Sequence, residues 1–190
     1  NVNTAGGSGN VVDATVNASD TTVNLDQTGA GGNETTLDMT GDKGKVTLTT
    51  VGANNITSVT QSASGTNGAQ AIIDITGSGN ETTFTQSGAA DHYANLKLYS
   101  GSDDNTINVT QSGSYAHSAD ITLRAGSDNN TITLRQSGGN ATTGAGQVAV
   151  MDINGSSNNI TANQQGTVSN YLNMKVVGSS NTYTIMQKQQ

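Results

Sequence analysis

Two histidines and two aspartates stand at matching places in neighbouring segments of the chain. His92 and His117 each follow a glutamine by six residues, and Asp103 and Asp128 each precede an asparagine by two residues. If these segments stack, the imidazoles could bind a metal ion and the carboxylates could bridge a calcium ion. Two imidazoles without a third ligand make a poor metal site, and a solvated loop and solvated surface carboxylates are the simpler interpretations.

Other catalytic chemistry finds little support in the sequence. The chain has no cysteine. It contains none of the nucleophile-elbow, zinc-protease, phosphate-loop or dinucleotide motifs in a strand-to-helix setting. Carboxylates are scattered and only six residues are Tyr or Phe, whereas a glycan-cleaving groove needs paired carboxylates. We therefore expect a protein that is not an enzyme and has no cofactor and no resident metal.

The strongest signal is an internal repeat of 22–28 residues. An asparagine behind a glycine-rich corner recurs at Asn10, Asn33, Asn55, Asn80, Asn105, Asn130, Asn158 and Asn181. Six residues after the last six anchors lie Gln61, Gln86, Gln111, Gln136, Gln164 and Gln187, and Val16 and Met39 fill this place in the first two units. Six glutamines in eight places exceed chance for a residue that occurs 12 times in 190.

The elements that must position these amides are short β-strands. Between each anchor and the glutamine place, apolar and polar residues alternate, as in Ile107 and Val109, and a second alternating run precedes the next corner, as in Ile121 and Leu123. Alternation with period two indicates a strand with one buried face. A β-meander would also give two strands per unit. Stacked coils are favoured because they place like amides about 4.8 Å apart, where they can bond to each other.

Composition narrows the class of protein. Gly, Asn, Thr, Ser and Gln make up 107 of 190 residues, only 11% of residues are charged, and proline is absent. These values exclude a thick apolar core, a helical bundle and a charge-expanded disordered chain. The net charge of −7, with seven scattered basic residues, argues against nucleic acid as a partner. No apolar run is long enough to span a membrane, and a start at Asn1 without a leader fits a mature secreted form.

The segments NTINVTQ at 105–111, NTITLRQ at 130–136 and NTYTIMQ at 181–187 carry a family resemblance. They resemble the second half of the curlin repeat of bacterial curli, and the resemblance covers most of the chain from Gly52 onward. The first strand departs from that repeat, because AIIDIT and NLKLYS are apolar and lack its second glutamine. The resemblance implies a secreted functional-amyloid fibre subunit of biofilm matrix and surface adhesion. It also implies a nucleator subunit and an outer-membrane secretion channel as partners.

The sequence as a whole predicts one β-solenoid domain over residues 1–190, with about seven and a half two-stranded coils and inward-facing Asn and Gln ladders. We expect it to polymerise end to end, with Val2 and Thr4 of one copy meeting Tyr183, Ile185 and Gln187 of another, and with Gln187 extending the glutamine column across the joint. Two alternatives stay open: a soluble solenoid that binds or processes glycans, and an ice-binding solenoid that uses outward threonines such as Thr131 with Thr133 and Thr182 with Thr184.

Overall fold

The computed structural model describes residues 2–4, 6–17, 20–40, 43–63, 69–99 and 101–189. These residues form sixteen β-strands and no helix. The strands are β1 Val2–Asn3, β2 Val11–Asn17, β3 Thr22–Gln27, β4 Glu34–Thr40, β5 Lys45–Thr50, β6 Ile56–Ala63, β7 Gln70–Ile75, β8 Glu81–Gly88, β9 Tyr93–Leu98, β10 Thr106–Ser112, β11 Ala116–Leu123, β12 Thr131–Ser137, β13 Ala145–Ile153, β14 Asn159–Gly166, β15 Tyr171–Val176 and β16 Thr182–Gln189. Within these ranges, no helix has the length and apolar character needed to cross a bilayer.

The strands form two parallel sheets of eight strands each. The odd sheet contains β1, β3 and so on to β15, and the even sheet contains β2, β4 and so on to β16. One even strand and the odd strand that follows it make a coil, so the pairs from β2/β3 to β14/β15 give seven complete coils. β1 and β16 remain as single strands at opposite ends of the stack and in opposite sheets. The predicted β-solenoid is confirmed.

Strand pairing keeps equivalent residues of successive coils side by side. Between β10 and β12, for example, Ile107 pairs with Ile132 and Gln111 pairs with Gln136. Alternate side chains point into the space between the sheets, where Leu, Ile, Val, Ala, Met and Phe side chains form one continuous buried cluster. This core is thin, and each coil buries its apolar face mainly against the coils next to it, as expected for a solenoid.

A left-handed residue stands immediately before each anchor asparagine. These eight residues have φ between 54° and 82°, and they are Gly9, Gly32, Asn54, Gly79, Asp104, Asn129, Ser157 and Ser180. Gly, Asn and Asp adopt this conformation most readily. None of the eight anchors, all of them described, has a positive φ. The turn preference of asparagine therefore applies to Asn54 and Asn129, which precede anchors, and not to the anchors themselves.

Candidate functional site

The anchor asparagines form a continuous ladder inside the corner. At each of seven steps from Asn10 to Asn181, the backbone N–H and the Nδ2 of one asparagine both donate to the Oδ1 of the asparagine in the preceding coil, over 2.9–3.2 Å. At several steps Nδ2 also donates to a carbonyl of the following corner, as Asn55 does to Gly77 at 2.8 Å. Anchors Asn33 to Asn158 are buried, so this ladder satisfies polar groups that would be costly to bury singly.

The glutamines form a second ladder, which runs from Gln61 to Gln187. The Nε2 of each glutamine donates to the Oε1 of the glutamine in the next coil, over 2.7–2.9 Å. The same Nε2 also reaches a carbonyl of the odd sheet, as Gln111 reaches Tyr93 at 2.8 Å. Each glutamine therefore ties together its two neighbouring coils and the two sheets.

The glutamine ladder begins only in the third coil. Met39 pairs with Gln61 in the even sheet, and Val16 pairs with Met39. Because a methionine stands where a glutamine would donate, the Oε1 of Gln61 is buried without a hydrogen-bond partner. The first coils thus lack the amide that connects the sheets in the later ones.

The paired aspartates belong to a ladder that the sequence did not reveal. Asp103 Oδ1 accepts from the backbone N–H of Ser78 at 2.7 Å, and Asp128 Oδ1 accepts from that of Asp103 at 3.0 Å. Serine hydroxyls make the equivalent bonds in the neighbouring corners, for example Ser156 to the N–H of Asp128 at 3.3 Å. The two carboxylates are therefore engaged in capping backbone N–H groups. In the described residues no group of three or more His, Cys, Asp or Glu could hold a metal ion.

The two histidines lie stacked in the core, and the expectation of a solvated loop is wrong for them. Both are 1% exposed, and their rings are 5.1 Å apart and nearly parallel, at 6°. Each Nε2 lies 2.8–2.9 Å from a carbonyl oxygen of its own coil, Ser87 for His92 and Ser112 for His117. The Nδ1 of His117 accepts from the backbone N–H of Gln147 at 2.9 Å. The Nδ1 of His92 lies 3.4 Å from the backbone N–H of His117 and accepts from it. Both nitrogens of each ring are therefore engaged in structural hydrogen bonds.

In the coil after His117, an amide side chain takes the place of the imidazole. Gln147 stands in the place of His117 in the next coil, at an irregularity in the β11–β13 register, and its Oε1 accepts from the N–H of Asn170 at 2.7 Å. At each step of this column a side-chain atom accepts from a backbone N–H of the next coil, and an imidazole can accept there only in its neutral form. Burial lowers the pKa of His117 to about 4, against the raising effect of its bond to Ser112. Burial also lowers the pKa of His92, although Ser87 and the nearby Asp91 oppose this.

Apolar residues that would be buried in a longer stack are uncovered at both of its ends. At the β2 end, Val16 is 46% exposed, and at the β16 end Tyr183 is 36% exposed. Their counterparts Gln136 and Ile132 in a central coil are at most 1% exposed. Val12 and Ile185, which also face inward, are half-buried.

The five residues predicted for a subunit junction are divided between these two ends. Val2 and Thr4 lie at one end, on and next to β1, and Tyr183, Ile185 and Gln187 lie on β16 at the other. Thr4 is exposed, and the side chain of Val2 lies outside the described part of the chain. Within one chain the two groups are not brought together.

The outward threonines proposed for an ice-binding face lie on the even sheet. Thr131 and Thr182 are exposed there, and Thr133 is half-buried. In the two coils before β12, Thr131 is in line with Thr106 and Glu81, and Thr133 is in line with Asn108 and Thr83. Glu81 and Asn108 therefore interrupt the two hydroxyl rows.

Comparisons of the chain with models of protein families, with curated proteins and with solved structures find no match. The fold and the ladders therefore define the class of this protein, an all-β solenoid built from two parallel sheets with internal polar ladders.

Proposed function

We propose that this protein is the structural subunit of an extracellular, curli-like functional-amyloid fibre and that it assembles head to tail. The observation that carries the proposal is the complementarity of the two single strands, β1 in the odd sheet and β16 in the even sheet. If β16 of one copy and β1 of the next faced each other across the core, they would complete one coil. Both sheets would then continue from copy to copy, with the open strand edges hydrogen-bonded.

The strand register within the chain specifies the residues of this joint. Continuing the even sheet places Asn181 beside Asn10 of the next copy, and it places Tyr183 beside Val12 and Ile185 beside Ala14. Apolar residues that are exposed at each end would thereby be buried against one another, which favours association. In the odd sheet, β1 of the next copy would lie between β15 and its own β3, as it already does beside β3.

The asparagine ladder gives the joint a direction. Each step has two donors on one coil and one acceptor on the preceding coil, so Asn181 Oδ1 is the last acceptor. In the proposed joint, the N–H and Nδ2 of Asn10 from the next copy would donate to this oxygen. A head-to-head contact would place like groups together and would leave the acceptor unsatisfied, which disfavours it.

The glutamine ladder would stop at the joint. Continuing the register places Val16 of the next copy opposite Gln187, because Val16 and Met39 occupy the glutamine column in the first two coils. A glutamine column across the joint, as the sequence suggested, is therefore not part of the proposal. In a fibre the ladder would instead recur as blocks of six glutamines separated by two apolar residues.

The biological setting rests on the curlin resemblance. Secretion, a role in biofilm matrix and surface adhesion, a nucleator and an outer-membrane channel are parts of the proposal that the resemblance suggests. A non-enzymatic role fits the engagement of the histidine and aspartate pairs in structural hydrogen bonds. The stacked parallel sheets support a fibre because this arrangement is common to solenoids and to cross-β assemblies.

A pair of lysine substitutions on β16 tests the joint. Ile185→Lys places a charge on the inward face, which the joint would bury, whereas Thr184→Lys places the same charge on the outward face. Since an unpaired buried charge costs several kcal/mol, we expect Ile185→Lys to slow fibre elongation by at least about tenfold and Thr184→Lys to change it little. Thioflavin T fluorescence after seeding measures the rate. Equal elongation by the two variants would contradict the proposed joint.

Deleting residues 178–190 is a second test, because it removes β16 and leaves seven complete coils. We expect a folded chain that elongates poorly, and we expect the free 178–190 peptide to inhibit growth of the intact protein by occupying the open end. Circular dichroism verifies the fold of the truncated chain. Unimpaired elongation without β16 would exclude the half-coil from the joint.

A further inference from the structure

Two neighbouring coils depart from the repeat at the same corner. Six residues, 99–104 and 124–129, separate the odd strand from the next anchor in these coils, whereas four residues, 154–157, do so in a later coil. In these corners the N–H of Ser102 donates to the carbonyl of Tyr99 at 3.0 Å, and the N–H of Ser127 donates to the carbonyl of Arg124 at 3.1 Å. The turns stack through a bond from Gly126 N–H to Gly101 O at 2.9 Å. In repeat proteins, insertions on one face often mark the binding face.

The longer corners border an open groove on the outer side of the odd sheet. Tyr99, Thr122, Arg124 and Ala125 line the groove, and its volume is about 510 Å³. This volume lies in the range of about 300–1,000 Å³ that small-ligand sites occupy. Tyr99 is 48% exposed and therefore offers ring surface to a ligand.

An ion pair fixes the polar side of the groove. Arg124 Nε bonds to Asp152 Oδ1 and Arg124 Nη2 bonds to Asp152 Oδ2, each at 2.6 Å. Asp152 is paired in register with Thr122 of the preceding coil, so the Arg124–Asp152 ion pair joins two neighbouring coils. These bonds use two of the five N–H donors of the guanidinium and leave three donors in a fixed plane for a ligand. The carboxylate offsets the positive charge of the arginine.

We propose that this groove binds a pyranose ring of a neutral polysaccharide. A compensated ion pair offers hydrogen bonds without a net charge, so it suits an uncharged polar ligand better than an anion. The exposed tyrosine ring suits a ligand with an apolar face. A sugar ring combines both features, since it carries C–H groups on its faces and hydroxyls around its edge. The groove lies within a single copy of the chain, so this proposal does not depend on fibre formation and goes beyond it.

Binding of soluble oligosaccharides to the full-length protein tests this proposal. Isothermal titration calorimetry with cellopentaose and with chitopentaose is expected to show saturable binding of at least one of the two. Tyr99→Ala and Arg124→Gln are each expected to weaken that binding by about tenfold or more, the equivalent of about 1.4 kcal/mol. Tyr171→Ala is the matched control, because Tyr171 is 62% exposed on β15 and does not line the groove. It is expected to change the affinity by less than about twofold.

Absence of binding to both oligosaccharides would overturn the proposal, as would equal affinities of the Tyr99→Ala and Tyr171→Ala proteins. Circular dichroism verifies that all three variants fold, which is expected because the substituted side chains are exposed. Fibre elongation of Tyr99→Ala should equal that of the unsubstituted chain. Failure of sugar binding would therefore leave the proposed fibre untouched, and failure of elongation in Ile185→Lys would not depend on the groove.

Discussion

The first coils and the central coils share the same parallel strand pairing but have different interiors. In the central coils Ile107 and Ile132 occupy the first inward place of the even strands, and the equivalent places in earlier coils hold Thr35, Thr57 and Thr82. These threonines are at most 1% exposed. The second, third and fourth coils therefore have buried hydroxyls at this place instead of apolar contacts, whereas the first coil has Val12.

The odd sheet repeats this difference at its last inward place. Leu98 and Leu123 fill that place in the central coils, whereas Gln27 and Thr50 fill it in the first two. Gln27 Oε1, Thr50 Oγ1 and Thr82 Oγ1 are buried without hydrogen-bond partners, as is Gln61 Oε1. A buried polar atom without a partner costs about 1–3 kcal/mol.

The contrast shows that coil geometry and coil stability are set separately. The asparagine ladder and the left-handed corner residue extend through both regions and define the fold, because they specify the turn and the register. The glutamine ladder and the apolar row of the odd sheet are complete only from the third coil onward, and the apolar row of the even sheet is complete only from the fifth. In a stack whose stability is a sum of local terms, the first coils should therefore open before the central ones.

The largest expected difference between the regions comes from placing leucine in the glutamine column. Gln111→Leu removes a donor and an acceptor from a complete ladder and leaves Gln86 Nε2 and Gln136 Oε1 with one partner fewer. We expect it to lower the free energy of unfolding by about 3 kcal/mol, since each unpaired buried group costs about 1–3 kcal/mol.

Met39→Leu, in the same column, is the matched control and should cost less than about 1.5 kcal/mol, because it swaps two apolar side chains of similar volume. The outward Thr110→Ser should cost less still. Urea unfolding of the three variants measures the differences. Equal losses for Gln111→Leu and Met39→Leu would contradict the distinction between the two regions.

Acidification should weaken the central coils selectively. The folded-state pKa of His117 is lowered to about 4, so protons bind the unfolded chain more readily than the folded one. Its contribution is complete above about pH 6.5 and is lost as the pH falls from there towards 4. We expect a loss of about 2 kcal/mol from His117 between pH 6.5 and pH 5.

Urea midpoints at the two pH values measure this loss. In the His92→Gln/His117→Gln double variant, amides would replace both imidazoles, as Gln147 does in the next coil. This variant should keep its stability between pH 6.5 and pH 5. If it is as pH-sensitive as the unsubstituted chain, the histidine column is not the cause.

Extending the glutamine ladder from the third coil into the second should reduce the difference in stability between the first coils and the central coils. Met39→Gln places an amide beside Gln61 and gives the unpartnered Oε1 of Gln61 a donor. We expect a gain of about 1 kcal/mol in the free energy of unfolding, which is the net value of a typical hydrogen bond. Hydrogen exchange of β4 and β6 should slow in the same variant. A loss of stability would mean that Met39 packing outweighs the ladder at this position.

The smallest effect on stability is expected at the corners. Here the early coils have the residue better suited to the conformation, and the last coils have the less suited one. The left-handed residue is glycine at positions 9, 32 and 79, but it is Ser157 and Ser180 in the last two corners. Ser180→Gly should raise stability by about 0.5 kcal/mol, because relief of the left-handed strain slightly exceeds the entropy cost of glycine. Thermal unfolding measures the change. A matching gain from Ser179→Gly, next to the left-handed position, would show that strain is not the source.

The strands, their inward phase and the two amide columns could be predicted because each recurs with the same residue type in most coils. The matching places of the histidines and aspartates were also visible, but their role as acceptors for backbone N–H groups could not be predicted. The residue type in each column changes from coil to coil, as in His117 followed by Gln147. What these residues have in common is only a hydrogen-bond acceptor in the same place. The groove beside Tyr99 was also missed, because it depends on two longer corners and on an ion pair between residues 28 positions apart.

Cryo-electron microscopy of fibres grown from the purified protein tests the central claim most directly. Each copy contributes eight strands to each sheet, so head-to-tail stacking at about 4.8 Å per strand predicts unbranched fibres with a subunit repeat of about 38 Å. The density should show β16 of one copy between β14 of that copy and β2 of the next. A protein that remains a monodisperse monomer, or a fibre whose neighbouring copies are related head to head, would contradict the account.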